Sequence, residues 1–171
     1  GKQGLLRDLY DLGLRGHLPM VIQNFRSDRP FMVIYGATFS DVFNQEEGVP
    51  QGAILSTTLF NIKLNDIVKQ LCPGVQCSLY VDDFVLYFKS KRTCHLERKL
   101  QDCINNVKDW AVANGFTISE DKTKAMHFCR RQCCADPVLL LNGKPIKVKT
   151  EVKFLGLRWD PKLSFKAHID H

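Results

Sequence analysis

The chain has 171 residues, with 24 Lys+Arg against 18 Asp+Glu and a formal net charge of +6. That length allows one domain with a sizeable core, or one domain and part of another. No apolar stretch is long enough to cross a bilayer, no N-terminal signal pattern is present, and seven irregularly spaced cysteines argue against a secreted disulfide framework and for a reduced, intracellular protein.

The chain opens on GKQGLLRDL and ends on His171, so it reads as a segment of a longer protein. Its charge is uneven. Residues 1–88 hold 7 Lys+Arg against 9 Asp+Glu, and residues 89–171 hold 17 against 9. A basic half beside a carboxylate-bearing half suits a polyanion held next to a cation site, although a solvated basic surface has the same composition.

Residues 3–14 pattern as a helix, with Leu5, Leu6, Leu9 and Leu12 on one side and Gly13 to stop it. HLPMVIQNF (17–25) predicts a short helix with Pro19 in its first turn. FMVIY (31–35) and ATFSDVF (37–43) are strand-like, and Gly36 between them suits a hairpin. The polar loop NQEEGVPQGA follows. A helix is then expected from Ser56 to Leu71, with Phe60, Leu64, Ile67, Val68 and Leu71 as its stripe, ended by Pro73-Gly74.

VQCSLYV and FVLYFK flank Asp82-Asp83 as two strands, in which Leu79, Val81, Val85 and Leu86 are expected to be buried. A long helix follows from Cys94 to Asn114, with Leu96, Leu100, Ile104, Val107 and Ala111 as its stripe and Asn114-Gly115 as its stop. FTIS (116–119) and KAMHFC (124–129) are strand-like. VLLLNGKPIKV (138–148) is the clearest hairpin, with Asn142-Gly143 at its turn, and KFLGLRW (153–159) patterns as a last strand. Helices and antiparallel strands mix without a βαβ rhythm. The expected class is α+β, an antiparallel sheet with helices packed on one face.

The paired carboxylates need a reason. At about 5 Å and an effective dielectric near 20 they repel by roughly 3 kcal/mol. A divalent cation would offset that, and hard oxygen ligands suit Mg²⁺ or Mn²⁺. From the pair alone, a hairpin tip with both charges in water is the simpler reading. Chain geometry shifts the balance. The predicted helix carries the chain about 24 Å away from the GVPQG loop, and the strand before Asp82 returns it about 23 Å. Packed antiparallel, they bring Asp82 and Asp83 near Gly48-Val49-Pro50-Gln51-Gly52, where two glycines permit close backbone approach and Gln51 offers a donor and an acceptor.

GVPQGAILSTTLFNIKLNDI (48–67) followed by YVDD (80–83) resembles the reverse transcriptases of non-LTR retrotransposons, the arthropod-type elements most closely. The likeness runs from GLLRDLYDLGLRG to KFLGLRWDPKLSFKAHI. It implies a polymerase palm over residues 1–150 and a primer-grip strand with the start of a thumb over 151–171. It also implies template-directed nucleotidyl transfer from dNTPs to a primer 3′-OH. In that family Asp82 would chelate catalytic metal with Asp83 as the lesser partner, using two Mg²⁺ or Mn²⁺. Pro50, Gln51 and Gly52 would meet the incoming nucleotide and template. Tyr80 and Val81 would lie near the primer terminus. Lys122, or alternatively Lys124, would assist pyrophosphate departure, and Phe154, Leu155 and Gly156 would grip the primer.

The partners so implied are an RNA template, a DNA primer and dNTPs, with an endonuclease and the remaining polymerase segments in the parent chain. The expected location is the nucleus, for target-site copying, or a cytoplasmic ribonucleoprotein. Departures accompany the likeness. The family's third Asp strand would precede Gly1, so the segment alone is expected to be inactive. Thr57 stands where Pro is usual, and Lys63 where an aromatic is usual.

Other readings stay open: a non-catalytic palm relic that binds nucleic acid or a partner, a group II intron or telomerase-like reverse transcriptase, and an endonuclease-type metal site, which no accompanying His or acidic cluster supports. His127, Cys129, Cys133 and Cys134 form one tight patch without a CxxC partner, so a strand end and a basic loop with Arg130 and Arg131 fit better than zinc. Trp110 reads as packing rather than base stacking, Trp159 as more open, and Asp66 as a structural helix residue.

Overall fold

The computed structural model describes residues 2–45, 52–129, 135–165 and 169. Two compact units divide the chain, residues 1–69 and 70–171.

In the first unit, α1 (Lys2–Asp11) and α2 (His17–Arg26) are joined by a short turn. Gly13 adopts φ 85°, and the Leu14 N–H reaches back to the Leu9 carbonyl at 3.0 Å. That six-residue closure ends α1 and needs a left-handed residue, which Gly supplies without steric cost. α3 (Ile54–Asn65) continues into a 3-10 helix, Asp66–Gln70. The expected single helix to Leu71 is therefore two pieces.

Leu5, Leu9, Ile22 and Leu59 form the buried core, with Leu6, Leu14, Phe25, Leu55 and Ile62 packed against it. The expected α3 stripe recovered Leu64 and Ile67, which are buried, but missed Leu59, and Val68 is exposed. Leu12 is likewise outside α1 and exposed. Short ladders β1 (Pro30–Phe31) with β4 (Phe43–Asn44), and β2 (Ile34–Tyr35) with β3 (Thr38–Phe39), complete the unit. The second of these is the hairpin expected about Gly36.

In the second unit, the turn Cys72-Pro73-Gly74-Val75 closes through Val75 N–H to Cys72 O at 3.0 Å. It leads into β5 (Gln76–Tyr80), which pairs antiparallel with β6 (Asp83–Tyr87). α4 (Thr93–Ala113) buries Cys103, Val107 and Ala111. Its end repeats the device of α1: Gly115 at φ 77° and the Phe116 N–H on the Ala111 carbonyl at 2.8 Å.

Next come β7 (Lys124–Ala125), the hairpin β8 (Leu140–Leu141) with β9 (Lys144–Pro145), β10 (Lys147–Val148), and the hairpin β11 (Val152–Phe154) with β12 (Leu157–Trp159). β10 runs parallel to β7. α4 completes the edge of β8 with side chains. Gln101 donates to the Leu140 carbonyl at 2.9 Å and accepts from its N–H at 2.7 Å, while Glu97 accepts from the Val138 N–H at 2.9 Å. These three bonds satisfy backbone groups that a further strand would otherwise take.

The class is α+β, but the expected single antiparallel sheet is not what the described strands form. They pair two by two in six ladders, and one ladder is parallel. FTIS is not a strand, because Phe116 instead stacks on Trp110 at 5.5 Å and 12°. KAMHFC contributes only Lys124 and Ala125. KFLGLRW is a hairpin rather than one strand. Its alternation hides a turn at Leu155-Gly156, where φ is 49° and 81°.

Candidate active site

The Asp pair stands at the tip of a regular hairpin. Leu79↔Phe84, Ser78↔Val85, Cys77↔Leu86 and Gln76↔Tyr87 face one another, and Tyr80↔Asp83 closes the ladder, leaving Val81 and Asp82 as a two-residue turn. Leu79, Val85 and Leu86 are half-buried, but Val81, expected to be buried, is 57% exposed because it lies in the turn. Its φ is 53°. That is a left-handed conformation in which a β-branched residue is an outlier.

Three two-residue hairpin turns in this unit start with a left-handed residue, at Val81, Asn142 and Leu155. Only Asn142 is a residue type that takes the conformation easily. Backbone strain retained at two such turns concentrates where a chain has a use for it.

Asp82 and Asp83 are exposed. Among the described residues neither carboxylate makes a hydrogen bond or salt bridge. Two adjacent unpartnered carboxylates are a hard-oxygen donor set that fits Mg²⁺ or Mn²⁺, ions that usually keep several waters and bind through one or two carboxylates plus substrate phosphates. No group of three or more His, Cys, Asp or Glu suited to holding a metal occurs among the described residues. No larger acidic donor set accompanies these two carboxylates among the described residues.

Lys122 is exposed in the turn 119–123, where the Thr123 N–H and hydroxyl bond the Ser119 carbonyl at 3.0 and 2.6 Å. Glu120 ties that turn to the neighbouring hairpin through Lys144 at 2.6 Å and Asn142 at 2.8 Å. The hydrogen bonds from Lys144 and Asn142 hold the Glu120 carboxyl below its usual value, and the same contact raises Lys144. Lys124 lies in β7, in register with Lys147. Phe154 ends β11, and Leu155 and Gly156 form the β11–β12 turn, with Leu155 49% exposed.

In the first unit, Gly52 is exposed at φ 84°, two residues before α3. Pro50 and Gln51 lie outside the described residues. So does the rest of the loop 48–51, whose expected apposition to Asp82 joins residues of different units.

Lys63, the unusual cation on α3, pairs with Asp8 of α1 at 2.8 Å, the two side chains being only 13% and 14% exposed. A Cβ on Gly4 would come within 3.1 Å of its ammonium. An ion pair between helices therefore replaces the ring, a role that the spacing of Lys63 alone did not signal. Asp66 pairs with Lys69 at 2.7 Å, and that hydrogen bond raises the Lys69 pKa.

Of the cysteine patch, Cys129 is disulfide-bonded, which removes a thiolate from any zinc set. His127 meets Asp136 at 3.2 Å. Cys133 and Cys134 lie outside the described residues. Cys72, Cys77, Cys94 and Cys103 are free thiols, and burial pushes the Cys103 thiol up. Trp159 is half-buried, edge-on to Phe165 at 5.5 Å. Nearby, burial raises the Asp160 carboxyl, but hydrogen bonds from Phe165, Lys162 and Ser164 outweigh it and hold the group below its usual value. No helix among the described residues is long and apolar enough to cross a membrane.

Comparison with known proteins follows the same residues. The family described as "Reverse transcriptase (RNA-dependent DNA polymerase)" matches residues 3–159. The "RNA-directed DNA polymerase from mobile element jockey" of Drosophila funebris is 32% identical over 166 residues, which cover 91% of this chain and 18% of the relative. The protein of the same name from Drosophila melanogaster is 28% identical over 158 residues, 89% of this chain and 17% of the relative. The "Probable RNA-directed DNA polymerase from transposon BS" of Drosophila melanogaster is 25% identical over 161 residues, 87% of this chain and 17% of the relative. The chain thus spans less than a fifth of the length of these relatives.

Proposed function

Because this chain belongs to the reverse transcriptase family over residues 3–159, we propose that it is the palm segment of an RNA-directed DNA polymerase of a non-LTR retrotransposon. One observation carries the reading. A strained two-residue turn presents two adjacent, exposed carboxylates that no cation among the described residues neutralises.

In this proposal Asp82 and Asp83 hold divalent metal, Mg²⁺ or Mn²⁺, two ions being the family's number. The chemistry such ions supply when bound is charge neutralisation at the attacking 3′-oxygen and the leaving oxygen of an in-line displacement. The chain's own residues position the reactants. Tyr80 and Val81, both exposed beside the acids, flank the primer terminus. Pro50, Gln51 and Gly52 meet the incoming dNTP and the template, Gly52 having the backbone freedom for close approach. The Lys122 ammonium, free of any ion pair among the described residues, gives a proton or charge to the leaving pyrophosphate, with Lys124 the alternative. The Phe154-Leu155-Gly156 turn braces the primer strand and opens a second region, 151–171, after the palm at 1–150. Copying at a chromosomal target places the parent protein in the nucleus, with an RNA template, a DNA primer and an endonuclease as partners.

These 171 residues alone are expected not to extend a primer, since two carboxylates fall short of the family's three. The test is dNTP incorporation by a polypeptide in which residues 1–171 replace the matched segment of the Drosophila funebris relative. Asp82→Asn should then lower incorporation on the order of a thousandfold. Equal rates with Asp and Asn would overturn the reading.

A further inference from the structure

Residues 88–99, FKSKRTCHLERK, run from just beyond β6 into the first turns of α4 and carry five Lys or Arg, one His and one acid. None of the five cations takes part in a salt bridge among the described residues. The one acid, Glu97, is engaged with the Val138 N–H at 2.9 Å, and Asp102, one turn beyond Arg98, makes no ion pair with it.

A cavity of about 380 Å³ opens in this cluster, lined by Arg92, Cys94, His95 and Arg98. Two contacts brace residues at its rim. Ser90 exchanges hydrogen bonds with the Arg92 backbone at 3.1 and 3.2 Å, and the His95 ring sits edge-on to Phe88 at 5.5 Å. Arg92 and Arg98 are exposed, so both guanidinium groups are open to a ligand. Two guanidinium groups offer paired N–H donors that match the oxygens of a phosphate.

The geometry points to a phosphate-binding pocket in which Arg92, His95 and Arg98 hold a backbone phosphate of a nucleic-acid strand. The site is separate from the acidic turn. β6 carries the chain roughly 13 Å from Asp83 to Tyr87 before the basic cluster begins. The pocket is also independent of the metal chemistry proposed above. A nucleic acid fits better than an acidic protein because residues 89–171 hold 17 Lys+Arg against 9 Asp+Glu, a net positive charge whose long-range attraction for a polyanion adds to the local contacts of this cluster.

The test is fluorescence anisotropy of a labelled single-stranded oligonucleotide with the 171-residue chain, repeated across salt concentrations. Arg92→Ala with Arg98→Ala should weaken binding at least about tenfold and lower the slope of log K against log[salt] by about 0.7, one phosphate contact's worth on a single strand. Lys147→Ala with Lys149→Ala removes the same charge elsewhere and should change affinity less than threefold. Titration with inorganic phosphate, read on the His95 ring resonances, distinguishes a free-phosphate site from one that needs a strand. Shifts that saturate with inorganic phosphate, without oligonucleotide binding, would overturn the nucleic-acid assignment. So would equal losses for the two double variants, or no loss for the arginine pair. Binding is read without divalent metal and without dNTPs, so failure of the polymerase reading and failure of this pocket are read separately.

Discussion

Replacing Val81 by Gly should stabilise the unit that contains it. Val81 occupies φ 53°, a backbone region that disfavours an L-residue by about 1–2 kcal/mol. Glycine removes that penalty and returns about 0.5–1 kcal/mol through the greater freedom of its unfolded chain. Val81 is 57% exposed, so little apolar burial is lost. The net expectation is a gain of about 0.5–1 kcal/mol, or about 1–4 °C in Tm for a chain of this size. Thermal unfolding followed by circular dichroism measures it, with Val81→Ala as the control that keeps the φ penalty. If Val81→Gly melts no higher than Val81→Ala, the turn is not strained and the reasoning fails. In the polymerase setting the same variant should lose activity, since a looser turn aims Asp82 less well.

Other expectations rest on single contacts. Lys63→Ala leaves Asp8 nearly buried without its partner and should destabilise the first unit by about 3 kcal/mol, while Lys63→Met with Asp8→Leu should recover most of that; urea melts decide. Gln101→Ala frees both backbone groups of Leu140 and should cost about 1 kcal/mol, seen as faster amide exchange at Leu140. The Glu120 carboxyl is held below its ordinary value of 4.5. Its contribution is therefore fully present above that pH and is lost as pH falls through the lower folded value. Glu120→Gln should be less stable than the parent at neutral pH and converge with it in acid. Asp160, held below 3.8, should behave likewise with Asp160→Asn.

Strong local signals in the sequence located most helices and the tightest turns. Gly13 and Gly115 ended helices where expected, and Asn142-Gly143 formed its hairpin. Failures came where tertiary context overrode pattern. KFLGLRW alternates like one strand, yet its turn uses Leu155 in a conformation that no propensity favours. Phe116 found Trp110 rather than a strand neighbour. Helix α3 carries apolar residues nearly all round, so its periodicity did not identify Leu59 as its most buried residue. The acidic pair was legible because charge inside apolar strands is conspicuous. Its strained neighbour Val81 was not, since nothing in the residue type announces a left-handed backbone. The basic cavity at 92–98 depends on which charges lack partners, and only coordinates reveal that.

The acidic turn as a metal-holding element is tested most directly by adding Mn²⁺ to the ¹⁵N-labelled chain and recording paramagnetic broadening of its amides. Broadening should centre on residues 80–84 and vanish with Asp82→Asn and Asp83→Asn together. Broadening centred elsewhere, or unchanged in the double variant, would contradict the assignment of these carboxylates.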